Sequence, residues 1–158
     1  MPESPGTMAE WQVSQWFNSE RPLRVGDLRG RVVLIHAFQM LCPACVAHGL
    51  PQTQRVRDAF AGDDLAVVGL HTVFEHHAAM SPQALAAFIH EYRLSFPIGV
   101  DEPAADGPVP LTMEKLGLRG TPSTVLLDRH GRIRLHHFGR LDDLHLGFAL
   151  GQLLTGSW

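Results

Sequence analysis

Two cysteines separated by two residues are the side chains in this sequence best suited to covalent chemistry. Cys42 and Cys45 enclose Pro43 and Ala44, and they are the only two cysteines among the 158 residues. Two are too few for the disulfide scaffold of a small secreted domain, whereas this spacing in an intracellular protein suits redox or metal chemistry. The pair therefore indicates one of these two kinds of site.

The position of the cysteines in the chain favours redox chemistry. The segment before them, Val32–Phe38, is nearly all apolar and rich in β-branched residues, which is typical of a strand buried on both faces. Pro43 stands where a helix would begin. Proline is favoured at the first helical position because the backbone N–H of that residue makes no hydrogen bond within the helix. The dipole and free N–H groups of such a helix start stabilise a thiolate, so we expect Cys42 to ionise readily.

This placement predicts different roles for the two cysteines. Cys42, the more exposed, would attack a substrate disulfide, and Cys45, one helical turn further on, would resolve the mixed disulfide from inside. The alternative is a pair of ordinary core cysteines, because free cysteine is among the most buried residue types. We favour the catalytic pair because it lies between a buried strand and a helix.

The rest of the chain alternates between strand and helix patterns. Apolar segments predict further strands at 65–70, 96–100, 124–127 and 132–138, and helices are predicted at 43–60, 82–92 and 143–154. A tight turn at 128–131 joins the last two strands into a hairpin, and 101–110 is expected to be a surface loop. This order predicts an α/β protein with helices on the faces of one sheet.

Length and composition predict one globular domain. Residues 1–22 are expected to form an extension that packs on a domain spanning 23–158 through apolar side chains that include Trp11 and Trp16. A formal net charge of −3 gives no reason to expect a nucleic acid or membrane partner. Because no export signal or membrane-spanning stretch is visible, we expect a cytoplasmic protein, or a periplasmic one if a signal has been removed.

Residues 23–139 resemble the TlpA/ResA-like branch of thioredoxin-fold proteins. The similarity lies in LRGRVVL before the cysteines, in CPAC itself and in GTPSTVLLDRHGRI further on. It implies a thioredoxin fold, with a central mixed sheet flanked by helices on both faces. It also implies that Pro122 is a cis-proline facing the cysteines and that the Thr121 peptide presents backbone groups to substrate. The simpler interpretation is that Pro122 only begins a strand.

The cysteines and the resemblance together predict a thiol-disulfide oxidoreductase. Its partners would be a protein or small-molecule disulfide and an external thiol donor. The Cys42–Cys45 disulfide would be its redox centre, with no other cofactor and no metal. We expect the substrate to contact Leu41, Pro43 and Ala44 as well as Thr121.

Two departures from the family pattern lie before the cysteines. Leu41 replaces the tryptophan that normally precedes the first cysteine. His36 stands six residues before Cys42, where thioredoxins bury an aspartate. A histidine there could exchange the Cys45 proton near neutral pH, or it could be a neutral, hydrogen-bonded core side chain. The sequence leaves both interpretations of His36 open.

Two further differences follow the cysteines. The helix proline of the family falls five residues after the second cysteine, but Pro51 comes six after Cys45, so the family's helix geometry cannot be carried over to this segment. Glu75 lies near the position where the family carries an acidic residue close to the dithiol. An exposed surface position is the alternative for Glu75.

Two other functions share these residues. A peroxiredoxin-like peroxidase usually has a proline six residues and a threonine or serine three residues before its attacking cysteine, and those positions are His36 and Gln39 here. A metal carrier would use Cys42, Cys45 and His48, which follow at three-residue steps and can share one side of a helix. Two thiolates and an imidazole suit zinc or copper(I), but the sequence shows no fourth ligand.

Overall fold

The strand before the cysteines, Val32–Phe38 (β2), lies in the middle of a mixed sheet. The other strands are Val13–Phe17 (β1), Leu65–His71 (β3), Ile98–Asp101 (β4), Ser123–Leu127 (β5) and Ile133–Phe138 (β6). The computed structural model describes residues 6–60, 62 and 64–158, and within them the six strands follow the order β1-β4-β3-β2-β5-β6. β2, β3 and β4 are parallel, whereas β1, β5 and β6 pair antiparallel with their neighbours. The predicted mixed α/β sheet is confirmed.

Helices cover both faces of this sheet. They are Leu50–Ala59 (α1), Pro82–Tyr92 (α2), Leu111–Leu116 (α3) and Asp143–Thr155 (α4), with short 3₁₀ turns at Val25–Leu28 and His77–Ala79. The apolar sides of α1, α2 and α4 pack with one face of the sheet, and α3 packs with the other. In the described part of the chain, no helix is both long and apolar enough to cross a membrane.

All seven residues of β2 are buried, as its apolar sequence predicts. Side chains alternate along a strand, so Leu34 and Phe38 join the core that contains Cys45, while Val33 and Ile35 join the core on the opposite face. His36 lies between Leu34 and Phe38 in this alternation. It therefore faces the same side of the sheet as Cys45.

The N-terminal segment does more than pack on the domain. Val13–Phe17 pairs antiparallel with β4 and is an edge strand of the sheet. Trp11, just before it, is buried and donates its indole N–H to the Leu23 carbonyl at 2.8 Å. The division of the chain at residue 22 stays a prediction, and residues 1–5 of the proposed extension lie outside the described residues.

Asp101 accounts for a helix that the sequence pattern does not predict. The strand expected at 96–100 runs from Ile98 to Asp101, so Asp101 ends a strand rather than beginning a loop. Its carboxylate accepts the backbone N–H groups of Thr112 and Met113 at 2.8 and 2.9 Å. These bonds satisfy the first turn of α3, which at six residues is too short to show helical periodicity.

The helix that follows the cysteines is not a regular α-helix. Cys45–Gly49 is a π-helix in which the Leu50 N–H donates to the Cys45 carbonyl, and α1 follows. A π turn accommodates one more residue than an α-helical turn. This agrees with the position of Pro51, one residue later than in the resembling family.

Candidate active site

Cys42 and Cys45 form a disulfide at the end of the sheet where β2 leads into the helix. Cys42 is half-buried, whereas Cys45 has no exposed surface and belongs to the main core. The backbone N–H of Cys45 donates to Cys42 Sγ at 3.3 Å. A donor in this position stabilises negative charge on Cys42 once the disulfide is reduced, so accessibility and hydrogen bonding both favour Cys42 as the attacking thiolate.

The loop before β5, residues 119–122, lies against this disulfide. The Thr121–Pro122 peptide bond is cis, and the Thr121 carbonyl oxygen is 3.6 Å from Cys42 Sγ. β5 pairs with β2 through Ala37 opposite Ser123, which places the start of β5 beside the end of β2. This pairing brings together groups that are 79 residues apart in the chain. We call residues 119–122 the cis-proline loop.

The residues expected to contact substrate form an accessible rim around Cys42. Leu41 is 56 % exposed, Pro43 is exposed, and Ala44 and Thr121 are half-buried. The rim is therefore apolar on the cysteine side, with backbone polar groups supplied by Thr121.

Phe138 extends the accessible apolar surface beyond the cis-proline loop, and the sequence analysis did not identify it. Its ring packs so closely on Gly120 that a Cβ there would lie 2.9 Å from it. The Arg119 guanidinium lies 5.8 Å from the ring centroid, within cation–π range. Phe138 is 47 % exposed, so it remains accessible to a partner.

His36 is buried directly beneath this site, with 1 % of its surface exposed. A Cβ on Gly49 would lie 2.5 Å from its Cε1 and 3.4 Å from the Pro122 Cβ, so the ring lies against the π-helix close to Pro122. Burial, reinforced by the charge of His48, lowers the pKa of His36 to about 4, and the ring is neutral at physiological pH. Its Nε2 has no hydrogen-bond partner among the described residues. The neutral ring agrees with a core histidine, and its role in proton exchange stays a prediction.

The ring nitrogens of His48 contact residues 140 and 141. Its Nε2 lies 3.0 Å from the Leu141 carbonyl, and its Nδ1 lies 3.4 Å from a guanidinium nitrogen of Arg140. Within residues 6–60, 62 and 64–158, no three His, Cys, Asp or Glu side chains are arranged to hold a metal ion. These contacts give no support to a metal site made of Cys42, Cys45 and His48.

Glu75 lies on the exposed loop after β3. Two buried polar side chains that the sequence analysis did not single out belong to the elements next to the cysteines, namely Gln39 and His71, which are 2 % and 1 % exposed. Gln39 directly follows β2 and His71 ends β3. In the sequence, the only feature that could have identified Gln39 or His71 is a polar residue at the end of an otherwise apolar strand.

Known structures resemble this chain over almost its whole length, although no family model matches it. The thioredoxin-like superfamily protein SPOA0173 is 55 % identical, with 94 % of this chain and 96 % of that chain covered and a TM-score of 0.92. A thiol-disulfide isomerase from Corynebacterium glutamicum is 48 % identical, with 96 % and 97 % covered and the same TM-score of 0.92.

Curated relatives agree with this result. Protein DipZ of Mycobacterium bovis is 29 % identical over 143 residues, and the match covers 89 % of this chain but only 19 % of DipZ, so the chain spans about a fifth of that relative. The thiol-disulfide oxidoreductase ResA of Halalkalibacterium halodurans is 22 % identical over 122 residues, which cover 77 % of this chain and 61 % of ResA. The fold, the paired cysteines and the full-length similarity to the two solved structures show that the chain belongs to the thioredoxin-like superfamily, as the resemblance to its TlpA/ResA-like branch implied.

Proposed function

We propose that this protein is a thiol-disulfide oxidoreductase that exchanges disulfides through Cys42 and Cys45. The observation that carries the proposal is the contact between the half-exposed Cys42 sulfur and the Thr121 carbonyl of the cis-proline loop. It places an attackable sulfur beside free backbone groups that can hold an extended substrate. The similarity to a thiol-disulfide isomerase and to ResA supports the same reaction class.

The reaction proceeds in two exchanges. The Cys42 thiolate attacks one sulfur of the substrate disulfide, forms a mixed disulfide and releases the other sulfur, which takes up a proton. Cys45 then loses its proton and attacks Cys42 Sγ, which re-forms the Cys42–Cys45 disulfide and releases the second substrate thiol. The substrate gains two electrons and two protons, and an external dithiol returns them to the enzyme by the reverse steps.

His36 accepts the proton that Cys45 loses in the second exchange. Cys45 is fully buried and needs a base inside the protein, because water does not reach it. Gly49, which contacts the His36 ring, lies one turn after Cys45 on the same side of the helix. Burial holds the pKa of His36 at about 4, which leaves the imidazole neutral but makes it a weak base. It therefore holds the Cys45 proton only transiently, at Nε2, which has no hydrogen-bond partner among the described residues.

The substrate lies across Leu41, Pro43 and Ala44 on one side of Cys42 and the Thr121 backbone on the other. Leu41 supplies apolar contact where related proteins have a larger tryptophan. Such a surface, combining exposed apolar groups with backbone hydrogen bonding, suits an unfolded or extended polypeptide with a disulfide, and small-molecule disulfides are the alternative substrates. The partners are therefore a disulfide substrate and an external thiol donor.

Turnover of a test protein disulfide, with dithiothreitol as donor, examines this function. Cys42→Ser should abolish turnover, because the attacking thiolate is lost. Cys45→Ser should accumulate covalent mixed disulfides with the substrate, which appear on a non-reducing gel and are lost on a reducing one. Full activity of Cys42→Ser would refute the proposal, and failure of Cys45→Ser to capture any substrate that the wild type reduces would contradict the resolving role.

The reduction potential of the pair determines the direction of electron flow. Equilibration with glutathione or dithiothreitol buffers, followed by mass-shift alkylation, measures it. A value near that of thioredoxin, about −270 mV, indicates a reductant, and one near about −120 mV, as in DsbA, indicates an oxidant. The cytoplasmic location expected from the sequence stays a prediction. It agrees with a potential near that of thioredoxin and not with one near that of DsbA.

A further inference from the structure

Gln39 connects two loops at the edge of the proposed active site. Its Oε1 accepts the backbone N–H of Phe74, in the loop after β3, at 3.2 Å. Its Nε2 donates to Thr121 Oγ1, in the cis-proline loop, at 3.4 Å. Because a backbone N–H can only donate, the Phe74 contact fixes the orientation of the amide and directs its NH₂ group at Thr121. Gln39 is 2 % exposed, so water does not compete for these bonds.

The turn that contains Gln39 is itself held in place. The Cys42 N–H donates to the Gln39 carbonyl at 3.1 Å, which closes the turn from the end of β2 to the attacking cysteine. Within this turn the Met40 N–H donates to His71 Nε2 at 3.2 Å. His71 is buried, and burial lowers its pKa to about 4, so Nε2 remains an acceptor at neutral pH. Gln39 is therefore a fixed point from which a neighbouring loop can be positioned.

Thr121 needs such a partner. It lies two residues before β5, whose pairing with β2 begins at Ser123, so the sheet does not hold it directly. Among the described residues, the hydrogen bond of its side chain is the one with Gln39. Its carbonyl oxygen is the group 3.6 Å from Cys42 Sγ. A rotation of Thr121 would therefore move the backbone groups that lie beside the attacking sulfur.

We propose that Gln39 is a positioning residue for disulfide exchange, which holds Thr121 at the distance from Cys42 that a bound substrate requires. The inference rests on the proposed function and adds a residue that touches neither the substrate nor the reacting sulfurs. Misplacement of a substrate-holding group lowers the rate without removing the nucleophile. Loss of Gln39 should therefore impair exchange with a bound protein substrate and leave the intrinsic reactivity of Cys42 unchanged.

The first test is Gln39→Met, which keeps the side-chain volume and removes both hydrogen bonds. We expect kcat/KM for a protein disulfide to fall about tenfold, chiefly through KM, as for the loss of one or two buried hydrogen bonds. The rate at which iodoacetamide alkylates reduced Cys42 should remain within twofold of wild type, because that reaction does not use the cis-proline loop. If Gln39 had only a structural role, Gln39→Met would lower the unfolding midpoint, and kcat/KM and the alkylation rate of Cys42 would not change by different factors.

Thr121 provides a second, independent test of the same bond. Thr121→Val removes the hydroxyl and should reproduce the tenfold loss, whereas Thr121→Ser keeps it and should restore most of kcat/KM. Combining Gln39→Met with Thr121→Val should cost no more than Gln39→Met alone, since that substitution already removes the bond between Gln39 and Thr121. A hundredfold loss in the double variant would mean that the two residues act separately, which overturns the inference.

The outcomes distinguish this inference from the proposed function. An inactive wild type, or an active Cys42→Ser, overturns the function. An active wild type together with a folded Gln39→Met of unchanged kcat/KM overturns only the role of Gln39. If Gln39→Met does not fold, Thr121→Val decides, and unchanged kcat/KM in that variant refutes the positioning role.

Discussion

Replacing Gly49 by alanine measures how tightly His36 is packed against the helix that carries the cysteines. The new Cβ would stand 2.5 Å from His36 Cε1 and 2.7 Å from Nε2. Carbon atoms in good contact are about 3.5–4.0 Å apart. Both residues are buried and the Pro122 Cβ lies 3.4 Å from the same point, so the imidazole has little room to move away.

Two opposing effects determine the size of the change. Forcing an extra methyl group into a packed core costs about 1–3 kcal/mol. The backbone of Gly49 is helical, at φ −63° and ψ −49°, so alanine by itself favours this conformation by about 0.5–1 kcal/mol. We expect Gly49→Ala to lower the free energy of unfolding by about 1–2 kcal/mol. In a His36→Ala background the clash is absent, so the same substitution should stabilise the protein by up to about 1 kcal/mol.

Urea unfolding of the oxidised protein at pH 7 provides the measurement, with the two single variants and the double variant forming a complete cycle. Gly147→Ala on α4 is the matched control, since a Cβ there meets nothing within 4 Å. It should have the same small effect in both backgrounds. If Gly49→Ala changes stability equally with and without His36, to within about 0.5 kcal/mol, the proposed contact between them is refuted.

Three further predictions concern stability. Lowering the pH from 7 to 5 should reduce the free energy of unfolding of the oxidised protein by about 2 kcal/mol for each of His36 and His71. Each histidine has a pKa of about 4 in the folded state and 6.5 in the unfolded state, so the unfolded chain binds more protons at pH 5 and is favoured there. Urea midpoints at both pH values measure this loss, and His36→Ala should retain only half of it. Asp128→Ala should cost about 2 kcal/mol, because this carboxylate accepts backbone and arginine N–H groups at the hairpin turn; an unchanged thermal midpoint would contradict this. Asp142→Ala should cost about 1 kcal/mol through loss of the α4 N-cap, and Asp142→Asn should restore most of it in the same assay.

The elements that local sequence predicts well are those whose burial or capping is local. β2 has the predicted bounds because an uninterrupted apolar segment of seven residues fits a strand covered on both faces. Asp142 and Ser81 cap the helices after them through bonds to N–H groups two or three residues away. By contrast, α3 depends on Asp101 for two of its first hydrogen bonds, and β1 is a strand only because β4 is beside it.

The candidate site divides in the same way. Cys42 and Cys45 are recognisable because their spacing and their position at a helix start are local properties. The surroundings of Gln39 and His71 are created by the pairing of β2 with β3 and β5, which no pattern in a single segment contains. His36 lies between these cases, since its position could be identified from the chain, but the lack of a partner for its Nε2 among the described residues could not.

The leucine that precedes Cys42 has an optical consequence. With no indole beside the disulfide, the chain carries its tryptophans elsewhere: Trp11 and Trp16 pack together at 5.4 Å along the β1 edge, and Trp158 follows α4. β1 lies three strand spacings from β2 in the sheet, about 14 Å. The fluorescence of Trp11 and Trp16 therefore reports the docking of the N-terminal strand, and chemical labelling is the direct way to follow oxidation and reduction of the cysteines.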